Sequence, residues 1–189
     1  MGTEQQRTWQ GHVYTTMSLD GYIADSSGDA LWPNRLPEGL DHASVAGDPP
    51  ALNKATFSEG LDVVMLGRLS YERLDAAKRW PFGDTPVYIA SRTFPPGDPR
   101  ISGVFRTPDD AMEKLNALGV TSVHVDGGRN IQGFLKKGYI DTITVQIKPV
   151  ILGGGISLFG AIGKVVNLRV MGTTVTKKGG VRVTYAVER

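Results

Sequence analysis

Between Leu61 and Ile147 short apolar runs and amphipathic stretches take turns along the chain, and this alternation constrains the fold more than any other feature. Leu61 to Leu66 reads as a buried strand, Arg68 to Lys78 as a helix, Val87 to Ala90 and Val104 to Arg106 as short strands. Pro108 to Leu118 has Pro at a helix start, acids in its first turn, Ala111, Met112, Leu115 and Leu118 on one face, and Gly119 to end it. Ser122 to Val125 is again a strand, Asn130 to Lys137 a helix burying Ile131, Phe134 and Leu135, and Thr142 to Ile147 an alternating strand. Crossovers between parallel strands are right-handed in nearly all sheets, so the pattern predicts an α/β fold with a mainly parallel sheet covered on both faces.

The flanks add to this frame. Val13 to Asp20 alternates apolar and polar residues and gives a first strand. Ala24 to Pro50 is rich in Gly, Pro, Asp and Ser and reads as a lid or binding loop, followed by a short helix over Ala51 to Glu59. Val165 to Val175 and Val181 to Val187 are β-rich runs joined around Lys177-Lys178-Gly179-Gly180, which predicts an antiparallel hairpin at the edge of the sheet.

A length of 189 residues predicts one domain spanning 1–189 that needs no metal or disulfide to hold it. With 21 Lys+Arg against 19 Asp+Glu the formal charge is only +2, so nucleic acid is not an expected partner. The absence of cysteine excludes disulfides, Cys-ligated zinc and thiol catalysis. The polar N-terminus and short apolar runs predict neither a secretory segment nor a membrane span, and a cytoplasmic location is expected. His12, His42 and His124 show no ligand spacing, so no metal is assigned.

Parallel sheets bind ligands at the carboxyl ends of their strands. Three such ends carry related stretches: Leu66-Gly67-Arg68-Leu69-Ser70 opening a helix, Ala90-Ser91-Arg92-Thr93 ending a strand, and Asp126-Gly127-Gly128-Arg129-Asn130 opening another helix. Helix N-termini offer free N–H groups, glycine permits close backbone approach, and arginine adds bidentate donors, so the set suits the two phosphates of a dinucleotide. Each stretch alone is ordinary turn chemistry. Strand one runs into Leu19-Asp20-Gly21 rather than a glycine-rich fingerprint, so a site here is not of the Rossmann design.

With Thr16-Met17-Ser18-Leu19-Asp20-Gly21-Tyr22-Ile23-Ala24, Val64 to Glu72, Ile89 to Thr93 and Val125 to Arg129 in this order, the chain resembles the dihydrofolate reductase-like superfamily, in the branch of the riboflavin-pathway reductase domain. The resemblance spans nearly the whole chain and implies a three-layer fold and an NADPH-dependent reductase that transfers hydride to a small heterocyclic or carbonyl/imine substrate. It places the Gly67, Arg68, Leu69, Ser70 turn and the Gly127, Gly128, Arg129, Asn130 turn near the pyrophosphate, and Ser91 and Arg92, after Ala90, on the 2′-phosphate. It sets the nicotinamide against Thr16 and the Ile23-Ala24 loop. Substitution Gly128→Val is expected to block the cofactor while sparing the fold.

Asp20, the candidate catalytic carboxylate, has two readings: bonding the turn at Gly21, or contacting substrate or the nicotinamide ribose. Glu38 and Asp41 stand roughly where dihydrofolate reductases hold a pterin-binding acid, and Trp32 resembles an aromatic of the loop that closes over nicotinamide, with solvent shielding as its alternative. Lys148 to Gly155 either bends over the substrate pocket or is a flexible connection. The branch commonly has lysine where Tyr22 stands and Gly-Thr-Val at Gly67-Arg68-Leu69. A pyrimidine reductase, a dihydrofolate reductase and a non-catalytic nucleotide-binding protein are the alternatives, with dihydrofolate expected to be turned over poorly for want of a fixed acid. The resemblance also implies a homodimer.

Overall fold

The computed structural model describes residues 6–36, 45–47, 49–95 and 97–189. In chain order its elements are β1 (Gln10–Ser18), β2 (Tyr22–Ala24), the 3-10 turn η1 (Trp32–Arg35), β3 (Val45–Ala46), α1 (Lys54–Glu59), β4 (Val63–Gly67) and α2 (Arg68–Ala76). There follow β5 (Val87–Ala90), β6 (Ile101–Phe105), α3 (Pro108–Ala117), β7 (Ser122–Asp126), α4 (Gly128–Lys137), β8 (Thr142–Lys148), β9 (Ile156–Ser157), β10 (Leu168–Val175) and β11 (Val181–Val187). One sheet has the order β3-β10-β11-β8-β1-β7-β4-β5-β6, and β2 with β9 forms a separate ribbon.

From β8 through β6 every neighbouring pair is parallel, whereas β11, β10 and β3 continue the sheet antiparallel. Both faces are covered, which is why β4 is apolar at every position: Val63, Val64, Met65 and Leu66 are each 2% exposed or less. Met65, Val125 and Val13 pack with Leu115 of α3 and Ile131, Phe134 and Leu135 of α4. Val64, Leu66, Val87 and Ile89 turn the other way and pack with Tyr71 and Leu74 of α2. Phe57 of α1 stands on that second face, its ring 5.0 Å from those of Tyr14 and His124. The architecture is mixed α/β with three layers, as expected.

The differences from expectation are local. β1 begins at Gln10 because Gly11 lets the strand pass under the Tyr139 carbonyl, which a Cβ at that position would meet at 2.0 Å. β6 begins at Ile101 and runs through Gly103, where a Cβ would press on the Tyr88 ring at 3.0 Å. α1 begins only at Lys54, capped by the Asn53 carboxamide, which accepts from Thr56 N–H at 3.0 Å; the amides of Ala51 and Leu52 instead donate to the hydroxyls of Thr174 and Thr184. The hairpin is not a free edge: β11 pairs with β8, and Val45 and Ala46, from the stretch expected to be loop, pair with Val175 and Thr174. No helix among the described residues is long and apolar enough to cross a membrane.

Candidate functional site at the carboxyl ends of the strands

Parallel register sets the ends of β7, β4 and β5 level, with Leu66 opposite Asp126 and Gly67 opposite Ala90. The three stretches singled out in the sequence therefore share one edge of the sheet. Gly67 and Gly127 touch: a Cβ on Gly127 (φ +91°) would lie 3.3 Å from the Gly67 Cα and 3.1 Å from the Ser70 hydroxyl. Asn130 locks the pair by donating through Nδ2 to the carbonyls of Met65 and Asp126 at 3.3 and 3.2 Å.

Capping distinguishes the helices at this edge from the others. α1 and α3 are closed by the side chains of Asn53 and Thr107. α2 and α4 start at Gly67 and Gly127 with no side-chain cap, so their first N–H groups face outward beside one another. Leu69 in the first turn of α2 is 50% exposed, and Arg68 is held sideways by Glu72 and Thr93 at 2.6 and 3.1 Å. Gly128 has a structural duty that the sequence did not show. A Cβ there would meet the Ser157 carbonyl at 3.0 Å and Ile23 at 3.1 Å, so this glycine admits the β2–β9 ribbon, and valine would disturb the fold rather than spare it.

Ser91 and Arg92, past the end of β5, line a hollow of about 540 Å³. Arg106, Thr107 and Lys114 from the end of β6 and from α3 face the same hollow, three residues that sequence reasoning missed. The available signal was the strand end and helix cap in Phe105-Arg106-Thr107-Pro108. A neighbouring hollow of about 380 Å³ is lined by Arg68, Tyr71 and Thr93 and shares Phe94 with the first. Arg92, Arg106 and Arg129 form no ion pair among the described residues, whereas Arg7, Arg35, Arg68, Arg100, Arg169 and Arg189 each have an acid.

At the end of β1 the Ser18 hydroxyl donates to Asp20, which also accepts from the amides of Leu152 and Gly153 at 3.1 and 2.8 Å. The Ser18 hydroxyl, with the two amides, holds the Asp20 carboxyl below its ordinary range. Such a group stays ionised and is a poor proton donor near neutral pH, so the geometry favours a structural role over a catalytic one, with its bonds going to Leu152 and Gly153 rather than to Gly21, whose N–H donates to the Ser18 carbonyl. It also pins the Lys148 to Gly155 segment, together with Leu19 N–H donating to the Val150 carbonyl, which corrects the flexible-connection reading. Ala24 is fully buried, and Gly155 crosses its carbonyl where a Cβ would lie 2.0 Å away. Trp32 is 4% exposed, its indole N–H on the Ile23 carbonyl at 3.3 Å, so it anchors the loop. Glu38, Asp41 and His42 lie outside the described residues.

Thr16, half-buried, faces the α1 side in register with Gln146 of β8. Asp126, at the end of β7, carries a carboxylate with no side-chain hydrogen bond or ion pair among the described residues. His124, one rung below, is buried and in register with His12. Burial, partly offset by the nearby Asp126 charge, pushes its pKa down. Because β1 and β7 meet only through pairing, this proximity of two histidines far apart in sequence has no sequence signal.

Comparison with known proteins follows the same frame. The family profile described as the RibD C-terminal domain matches residues 12–181. The chain is 27% identical over 165 residues to the Bacillus subtilis protein YwjB, covering 85% of this chain and 88% of that one. It is 29% identical over 170 residues to the riboflavin biosynthesis protein RibD of Mycobacterium tuberculosis, covering 84% of this chain and 48% of that longer protein. A solved structure from Shewanella sp. PV-4, assigned by name to riboflavin biosynthesis, superposes with a TM-score of 0.79 at 28% identity, over 95% of this chain and 99% of that one.

Proposed function

The chain belongs to the RibD C-terminal domain family, and from that premise we propose that it is an NADPH-dependent reductase acting on a small heterocycle. The observation that carries this reading is the pair of uncapped helix N-termini at Gly67 and Gly127, side by side on the strand edge, flanked by Arg92, Arg106 and Arg129, which form no ion pair among the described residues. That donor set fits a dinucleotide: N–H groups and helix dipoles for the pyrophosphate, Arg92 with Arg106 and Ser91 for a 2′-phosphate. When bound, NADPH would supply the hydride. The protein's own part is positional. Thr16, Ile23 and the β2–β9 ribbon would hold the nicotinamide end, and the clasp of Asp20 on Leu152 and Gly153 keeps that ribbon and its loop fixed. Asp126, whose charge also acts on the His124 ring, would manage a proton at the strand ends.

Membership of this family makes 5-amino-6-(5-phosphoribosylamino)uracil the acceptor to try first. The test pairs calorimetric titration of NADPH and NADH with NADPH oxidation in the presence of this compound or of dihydrofolate. Tight NADPH binding with turnover of the pyrimidine and slow dihydrofolate reduction is the expected result. Tight binding without turnover of either would favour a nucleotide-binding role, and no NADPH binding would refute the reading. A homodimer is also proposed, by analogy within the superfamily, and light scattering decides it.

A further inference from the structure

On the face of the sheet that carries α1, four strands contribute one rung of polar residues. Thr16 on β1 is in register with Gln146 on β8, Gln146 with Arg182 on β11, and Arg182 with Thr174 on β10. Arg182 Nη1 donates to the Tyr14 hydroxyl at 3.2 Å. Its Nε–H, shielded from solvent, has no hydrogen-bond partner. One step along the same face, Lys148 at the end of β8 forms no ion pair among the described residues, nor does Arg182 or Lys178 of the β10–β11 turn. Burial and the neighbouring Lys178 charge lower the Lys148 pKa.

This arrangement is costly as a purely structural one. A buried donor left unpaired keeps its full desolvation cost, and cations gathered without a counter-charge repel. Thr174, at the far end of the rung, and Thr184 on the same face bind the amides of Ala51 and Leu52, so Arg182, Gln146 and Lys148 are not needed to fasten that segment. Among the described residues no acid pairs with Arg182, Lys148 or Lys178. Because the rung starts at Thr16, it runs outward from the strand end read as the nicotinamide site.

We propose that Arg182, assisted by Lys148, selects the hydride acceptor by binding an anionic group that the acceptor carries, a phosphate ester or a carboxylate. The proposal rests on the reductase reading for the location of the acceptor. Arg182 Nε–H and the Lys148 ammonium would donate to the anion's oxygens, and Gln146, with both a donor and an acceptor, would meet the polar edge of the ring.

The probes are uridine 5′-phosphate, orotate and uridine, titrated calorimetrically into the full chain with and without saturating NADPH. Wild type is expected to bind one of the two anions at least about tenfold more tightly than uridine, the worth of a charge-assisted hydrogen bond. The stronger of the two anions identifies phosphate or carboxylate as the recognised group. Arg182→Gln should bring that preference within about twofold, and Lys148→Met should reduce it in part. Circular dichroism checks both folds, and if Arg182→Gln is unfolded, Lys148→Met decides. Equal binding of all three probes by wild type, or a preference that survives the folded variants, overturns the proposal. Failure of NADPH itself to bind would count against the reductase reading instead, and the NADPH-free titrations would still decide the anion.

Discussion

Arg92 and Arg106 reach one hollow from the ends of adjacent strands, and each lacks an acid partner among the described residues. If that hollow takes a 2′-phosphate, Arg92→Ala and Arg106→Ala should each weaken NADPH by about tenfold or more, the worth of a charge-assisted contact, with little effect on NADH. Calorimetry with both cofactors tests this, and equal losses would move the phosphate elsewhere. A second prediction concerns His124. Burial lowers its pKa, so the folded chain keeps it neutral while the unfolded chain takes up a proton below about pH 6.5. Stability is thus full above that pH and falls as the pH drops through it. Urea unfolding at pH 7.5 and 5.0 should show a smaller acid loss for His124→Gln than for wild type.

At the scale of elements, tight seams do more than propensity. Gly128→Val should destabilise the chain by about 1–3 kcal/mol through overpacking against Ser157 and Ile23, read as a lower urea midpoint. Unchanged stability would mean that the ribbon yields freely. The strands and helices from Leu61 to Ile147 were legible because each burial pattern repeats along the chain, and the strand-end stretches were legible because Gly, Arg and Ser sit next to one another there. Arg182, Gln146 and Tyr14 were not. They meet through pairing of β1, β8 and β11, and β-strand alternation says which face a residue takes but not which strand lies beside it. The structural need for Gly128 was hidden for the same reason: a glycine needed by a ligand and a glycine needed by a crossing strand look alike in sequence.

Across the whole molecule, Asp141 ties the segment before β1 to the segment after β11. It accepts a bidentate pair from Arg7 at 2.6 and 2.8 Å, the Gly11 amide at 2.8 Å, and a bond from Arg189. Burial pushes its carboxyl up, but the bonds from Arg7 and Gly11 outweigh this and hold it below the usual range. The clasp should therefore be intact above about pH 4 and be lost as the pH falls further. Asp141→Asn should cost about 1–3 kcal/mol near neutrality, between an exposed and a buried pair, with the difference from wild type shrinking in acid. One carboxylate thus holds residues 7 and 189 within reach of each other. A circular permutant opened at Leu118–Gly119, an exposed turn between α3 and β7, and joined from 189 to 7 by a Gly/Ser linker of about eight residues, with a reach of roughly 16 Å, would keep every strand pair of the parent. In that permutant β7 and α4 would be made first and β4 to β6 with α3 last, so that the two halves exchange their order of synthesis while the folded neighbours stay unchanged.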